Sequence, residues 1–184
     1  MFEILLIGCV VWLFDYTKKR NFSKKEERKK KINMPKNVII EVLKNKIIEN
    51  INNGLYMKSL RSLKNASFSV APNGQGLQVE QLGDFVLEWE HFEKIVKKAN
   101  ALGGKMYRGD ELPQISGFKL GEEISRDCME GFIASELLHM ENGTAVTRRS
   151  TYYSGILAWA GIIALHKSQG KGSYITVNSE YRNI

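Results

Sequence analysis

The chain of 184 residues has two cysteines and three histidines, and neither set has the spacing of a site. Cys9 and Cys128 lie far apart in unlike surroundings, which reads as two reduced thiols in a cytoplasmic protein, not a disulfide or part of a metal centre. His91, His139 and His166 are scattered, without the paired spacing of zinc ligands. Residues 73–76, Asn-Gly-Gln-Gly, have the glycines of a phosphate loop but lack its Lys-Ser/Thr ending, and no helix is expected to open after them. The apolar run at residues 2–14 carries Glu3 and falls short of the roughly 20 residues of a membrane-spanning helix. No basic residue precedes that run and no small-residue cleavage site comes after it, which argues against a secretory signal. There is no internal repeat, and the one low-complexity tract is the basic run at 24–31. No complete catalytic signature occurs, so an enzyme is not the expected class and no cofactor or metal is expected.

The chain does carry positive charge, unevenly spread. The net charge is +7, but residues 1–33 hold nine Lys/Arg against four Asp/Glu, or +5. Residues 34–184 hold eighteen against sixteen, or +2, so attraction to phosphate must come from a local patch. The first 33 residues read in two ways. They are a membrane anchor, whose basic flank would keep the body on the cytoplasmic face. Alternatively they are upstream sequence translated before a true start at Met34, because Lys, Glu and Arg can all be written with the purine codons of a ribosome-binding site.

The 43% hydrophobic content suffices for a real core. Apolar residues at three- and four-residue steps predict a helix over 36–51, stopped by Asn52-Asn53-Gly54, and a short helix over 55–63. Residues 66–71, 77–80 and 84–87 read as strands, the first two joined by the turn at 72–76, and together as a small antiparallel sheet. The stripe Phe92, Ile95, Val96, Ala99 and Leu102 predicts a helix over 90–102, closed by Gly103-Gly104. Residues 105–121 read as loop. Residues 122–140 read as helix, with Gly131 as a point where it divides. Asp84, Glu88 and Glu90, near Lys94, Lys105 and Asp110, allow a Mg²⁺-dependent nuclease as a weaker alternative. No acidic-X-Lys pair completes that pattern, and acids at a helix start also suit the helix dipole.

The stretch 147–178 is the most informative. It has a polar basic helix start (Thr147-Arg148-Arg149-Ser150-Thr151-Tyr152-Tyr153) and an apolar helix body ending at Ala160-Gly161. Two short strands come next, with Gly170-Lys171-Gly172 between them. This resembles the recognition helix and wing of a winged helix-turn-helix domain, over residues 122–178. The resemblance implies a second helix at 131–140, a turn at 141–144 and a third helix at 147–160 that lies in the major groove. Thr147 is the expected N-cap. Tyr153, Ile156, Leu157 and Ala160 are expected to face the core, and Arg148, Arg149, Thr151, Tyr152 and Gly155 to face outward. Arg148, Arg149, Ser150, Thr151 and Tyr152 from the helix, with Lys167 and Lys171 from the wing, are then the nucleic-acid-binding residues. His166 joins them near the wing tip.

The expected class is therefore α+β, in three parts: a leader at 1–33, a helical and small-sheet half at 34–117, and a winged-helix-like module at 118–184. The expected function is binding of double-stranded DNA in a bacterial or phage setting. The alternative is a protein-interaction or scaffold domain, membrane-tethered through residues 2–14. The first half is a candidate for homodimerisation.

Overall fold

The computed structural model describes residues 37–58, 65–109, 117–167 and 172–184. Residues Asn37–Ile184 form one compact unit. The leader at 1–33, the remainder of the helix expected at 55–63, and Lys171 with the ribbon tip lie outside the described residues. The class is α+β, with helices and two small antiparallel sheets. Among the described residues no helix is long and apolar enough to cross a membrane.

Helix α1 (Val38–Asn50) buries Ile39, Ile40, Leu43 and Ile47, which recur on one face at helical spacing. The chain then turns through Gly54, at φ 76°, a backbone angle suited to glycine. The next element is a strand, β1 (Tyr56–Lys58), and not the helix expected from 55 onward. Burial gives the reason: Leu55 and Met57 are inside and Tyr56 outside, a period of two. Strands β2 (Asn65–Val70), β3 (Gly76–Val79) and β4 (Val86–Glu88) complete an antiparallel sheet in the order β1-β2-β3-β4. The β2–β3 turn is held by Asn73, whose Oδ1 accepts from the Gln75 N–H at 3.0 Å. Gly76 is obligatory at β3's start, since a Cβ there would meet the Leu87 carbonyl oxygen at 2.2 Å.

Helix α2 (Trp89–Ala101) begins directly after β4. Phe92, Ile95, Val96 and Ala99 are buried as its stripe requires, while Leu102 is left exposed beyond its end. Residues 105–107, expected as loop, form strand β5 (Lys105–Tyr107), too short for its exposed-buried-exposed alternation to stand out in sequence. Residues 122–128 are turns and not helix; helix α3 (Met129–Phe132) begins only after Cys128, whose Sγ accepts from the Gly131 N–H, and it passes into a π-helical turn, Ile133–Leu137. Gly131 does not divide the helix. It sits in the first turn, where a Cβ would meet the Ser125 carbonyl oxygen at 2.0 Å.

Helix α4 (Ser150–Trp159) begins three residues later than expected, and its N-cap is Arg149, not Thr147. Gly161, at φ 75°, ends it. Strands β6 (Ile163–Lys167) and β7 (Ser173–Val177) then pair antiparallel, and β5 pairs with β7, giving the order β5-β7-β6. This sheet takes strands from both sides of residue 117. One hydrophobic core includes residues from α1, both sheets, α2, α3 and α4.

Candidate functional site

Two surfaces carry candidate binding chemistry: the sequence pointed to the first, but of the ring row on the second it pointed only to His166. The first is the start of α4. The backbone N–H groups of Arg149 and Ser150, at the helix mouth where an anion would bind, both donate to the Glu130 carboxylate, at 2.8–3.0 Å. Glu130 is 1% exposed. Burial pushes its carboxyl up from the usual range, opposed by those donors and by the nearby Arg149 charge. The place a phosphate would take is thus filled by an internal carboxylate.

The neighbouring side chains are committed in the same way. The Arg149 guanidinium lies 4.4 Å from the centre of the Phe85 ring, and its Nη1 donates to the Thr147 carbonyl at 3.2 Å. Its Nε is buried without a hydrogen-bond partner among the described residues. Ser150 is buried. The Thr151 hydroxyl accepts from Arg108 Nη2 at 2.7 Å. Arg148 and Tyr152 are half-buried, with Tyr152 packed against the core.

Arg108 is a residue that sequence reasoning misses. It is 3% exposed, and its Nη1 donates to the Ser173 hydroxyl at 3.0 Å, so one guanidinium ties α4 to β7. Lys167 is exposed and faces Ser173 across the β6–β7 pair, on the border of this closed zone. No local pattern around Arg108 marks it in sequence, because its partners lie 43 and 65 residues away.

The body of α4 is covered too. Tyr153, Ile156, Leu157 and Ala160 face the core as expected. Gly155, expected outside, is inside: a Cβ there would meet Met57 Sδ of β1 at 2.8 Å. Trp159 meets Phe68 of β2 edge to face, with centroids 5.1 Å apart. No residue of α4 is fully exposed. The sheet β1-β2-β3-β4 therefore lies against the side of α4 that a groove-reading helix would need.

His91 and Tyr153 make a further buried link, with Nδ1 and the hydroxyl 2.8 Å apart. Burial lowers the His91 pKa below 6.5; Glu88 and Glu90 oppose that shift, and Lys94 and His139 add to it. Burial raises the Tyr153 phenol. Glu88 lies 3.7 Å from His91 Nε2, and Glu90 pairs with Lys94 at 3.8 Å. Among the described residues no group of three or more His, Cys, Asp or Glu is placed to hold a metal ion.

The second surface is the outer face of the β5-β7-β6 sheet. Strand alternation sends Met106, Ile175 and Ile163 inward and Lys105, Tyr107, Tyr174, Thr176 and His166 outward. Register sets Tyr107 opposite Tyr174, and Tyr174 opposite His166. Three rings thus stand in one row across three strands. His166 and Tyr174 stack at 4.8 Å with planes 12° apart, and Tyr107 is tilted against Tyr174 at 5.9 Å. The Nε2 of His166 lies 2.8 Å from the Thr176 hydroxyl, which fixes the imidazole in its place.

Lys105 Nζ hangs over this row, 4.2 Å from the Tyr174 ring centre and 5.0 Å from that of Tyr107. An exposed cation–π contact of this kind is worth only about 0.5–1 kcal/mol, so the ammonium is easily drawn to another partner. Arg182 is exposed beside Gly104 at the base of β5, with its Nε bonded to the Val177 carbonyl at 3.1 Å. The exposed Glu180 is the acid nearest in sequence to this border. No family model, curated protein or solved structure matches this chain.

Proposed function

We propose that the protein binds nucleic acid through its C-terminal module of three helices and a ribbon. The order α2, β5, α3, α4, β6, β7 supports the likeness to a winged helix, in which three helices pack with a small ribbon. The connection from α3 to α4 spans residues 138–149, longer than a plain helix-turn-helix turn. The observation that carries the reading is the ring row Tyr107–Tyr174–His166 with Lys105 across it, on an open sheet face. Lys105 on that face supplies charge for a phosphate contact.

In this reading the sheet face is the contact surface. Arg149, Ser150 and Thr151 hold α4 in place, since their polar groups already have internal partners or lie inside. Binding of fluorescent oligonucleotides by the full chain, followed by anisotropy across salt concentration, tests the proposal. Lys105→Ala is expected to reduce the slope of log K against log salt by roughly 0.7–0.9 for the phosphate that the protein no longer neutralises. Because the basic leader is common to both proteins, its contribution cancels in the comparison. No binding at low salt defeats the proposal.

A second reading, a protein-interaction or scaffold domain, is favoured by a different observation. Ile48, Ile51 and Tyr56, near the end of α1 and the start of β1, are 71%, 59% and 51% exposed. Large apolar side chains grouped on a surface often mark an interface.

A further inference from the structure

We infer that the ligand of the ring row is a single-stranded polynucleotide with unpaired bases, not a duplex. This rests on the nucleic-acid reading above and names its substrate class. Three features of the molecule favour it.

The first is the presentation of the rings. A base can lie flat on a protein ring only when its own face is free, which is the state of unpaired nucleotides; stacking of this kind tolerates any base because every base has a π-face. Tyr107, Tyr174 and His166 stand on adjacent strands with centroids 5.9 and 4.8 Å apart, too close for a base to enter between them, so a base stacks on a ring face that no other ring covers. The stacked pair Tyr174 and His166, with His166 held by Thr176, gives the row a fixed middle and end. Tyr107 at the other end is the most open of the three, at 36% exposed.

The second is that neither α4 nor the β5-β7-β6 sheet is shaped for the major groove. The groove of a duplex admits a helix or a two-stranded ribbon. Helix α4 has no fully exposed residue and its mouth is filled by Glu130. The sheet is three strands wide through the paired residues, one more than the groove takes, and its outer face carries large rings.

The third is the position of the charge. Lys105 lies directly over the ring faces that a base would occupy. An incoming strand brings both parts of the exchange: the base replaces the ammonium on the ring, and the adjacent phosphate receives the ammonium. Lys105 has a flexible stem and an exposed side chain, so that movement needs no change in the backbone.

The test is direct binding of the full chain to a labelled mixed-sequence strand of about twelve nucleotides, and to the same strand annealed to its complement, in matched salt. Site sizes on single-strand sheet modules run from about 4 to 16 nucleotides, so this length covers one face. The expected result is tighter binding of the single strand by about tenfold or more. Tyr174→Ala is expected to weaken that binding roughly tenfold, within the range for loss of one stacked base. Tyr174→Phe, which keeps the ring, is expected to bind as the unaltered protein does. An unchanged thermal midpoint for each variant separates lost stacking from lost folding. Equal or tighter binding of the duplex, or binding indifferent to Tyr174→Ala, overturns this inference while leaving nucleic-acid binding through another surface in place. No binding of either form overturns both.

Discussion

The mouth of α4 and the outer face of the β5-β7-β6 sheet contrast a closed surface with an open one. On one side lies the mouth of α4, where polar groups turn to internal partners: Arg149 and Ser150 N–H to Glu130, Thr151 to Arg108, the Arg149 guanidinium to the Phe85 ring. On the other lies the outer face of β5-β7-β6, where the rings and Lys105 contact one another and solvent. Both are basic and polar in sequence. The difference teaches that a basic helix start is an anion site only if no acid of the same chain reaches it first. A structural capping role predicts large effects on stability and small ones on binding; an open contact surface predicts the reverse.

The largest effect is expected at Gly131. Gly131→Ala places a methyl 2.0 Å from the Ser125 carbonyl oxygen, a backbone atom that cannot step aside cheaply. The loss is expected at about 3 kcal/mol or more, beyond the usual overpacking cost, and is read by urea denaturation. Gly155→Ala is the milder control, because its close neighbour is the flexible end of Met57, and about 1 kcal/mol is expected.

Glu130→Ala comes next. It leaves two backbone donors inside the protein unpaired and removes the carboxylate at the helix mouth, for about 2–4 kcal/mol. Glu130→Gln keeps an acceptor oxygen and is expected to lose less. Should Glu130→Ala leave the unfolding midpoint in place and change only oligonucleotide affinity, the contrast between closed and open surfaces is broken.

The His91–Tyr153 link predicts a pH dependence. The folded protein holds His91 below 6.5, so the unfolded chain takes up that proton first; stability falls as pH drops through 6.5 and the fall ends below the folded value. Glu130 works in the other direction: its raised folded value means stability present at low pH is lost as pH rises above about 4.5 through that value. Denaturation of Glu130→Gln between about pH 7.5 and about pH 5 isolates the histidine, and adding His91→Gln is expected to flatten the curve. Tyr153→Phe, which removes the hydroxyl, is expected to cost about 1 kcal/mol at neutral pH.

The smallest stability effect belongs to the open face. Tyr174→Ala is expected to change unfolding by less than about 1 kcal/mol, since a partly exposed cross-strand ring contributes on that scale. Its effect is expected in oligonucleotide binding instead. A large loss of stability at Tyr174 would make the ring row a packing feature and erase the contrast from the other side.

Elements with a strong local period were legible in the sequence. The stripe Phe92, Ile95, Val96 and Ala99 gave α2 to within one residue at either end, and the Pro72–Gly76 turn placed β2 and β3. Short elements were not: β5 and β1 have three residues each, too few to separate alternation from chance. The helix expected over 122–140 is present over 129–137 and failed over 122–128 for a related reason. Leu120, Ile124 and Cys128 are apolar at helical steps, yet they pack as a small cluster under turns, so the spacing reported burial and not helix.

By itself the sequence determined the α+β class, the apolar faces of α1 and α2, and the core side of α4, because these depend on which residues avoid water at a fixed local period. Only tertiary structure decided which polar groups remain available. Glu130 reaches Arg149 and Ser150 from 19 and 20 residues away, and Met57 and Phe68 cover α4 from far earlier in the chain. The rings of Tyr107, Tyr174 and His166 likewise become a row only through strand register. Hydrogen bonds and ring contacts are short-ranged in space but indifferent to distance along the chain, so their partners are fixed by the fold and not by neighbouring residues.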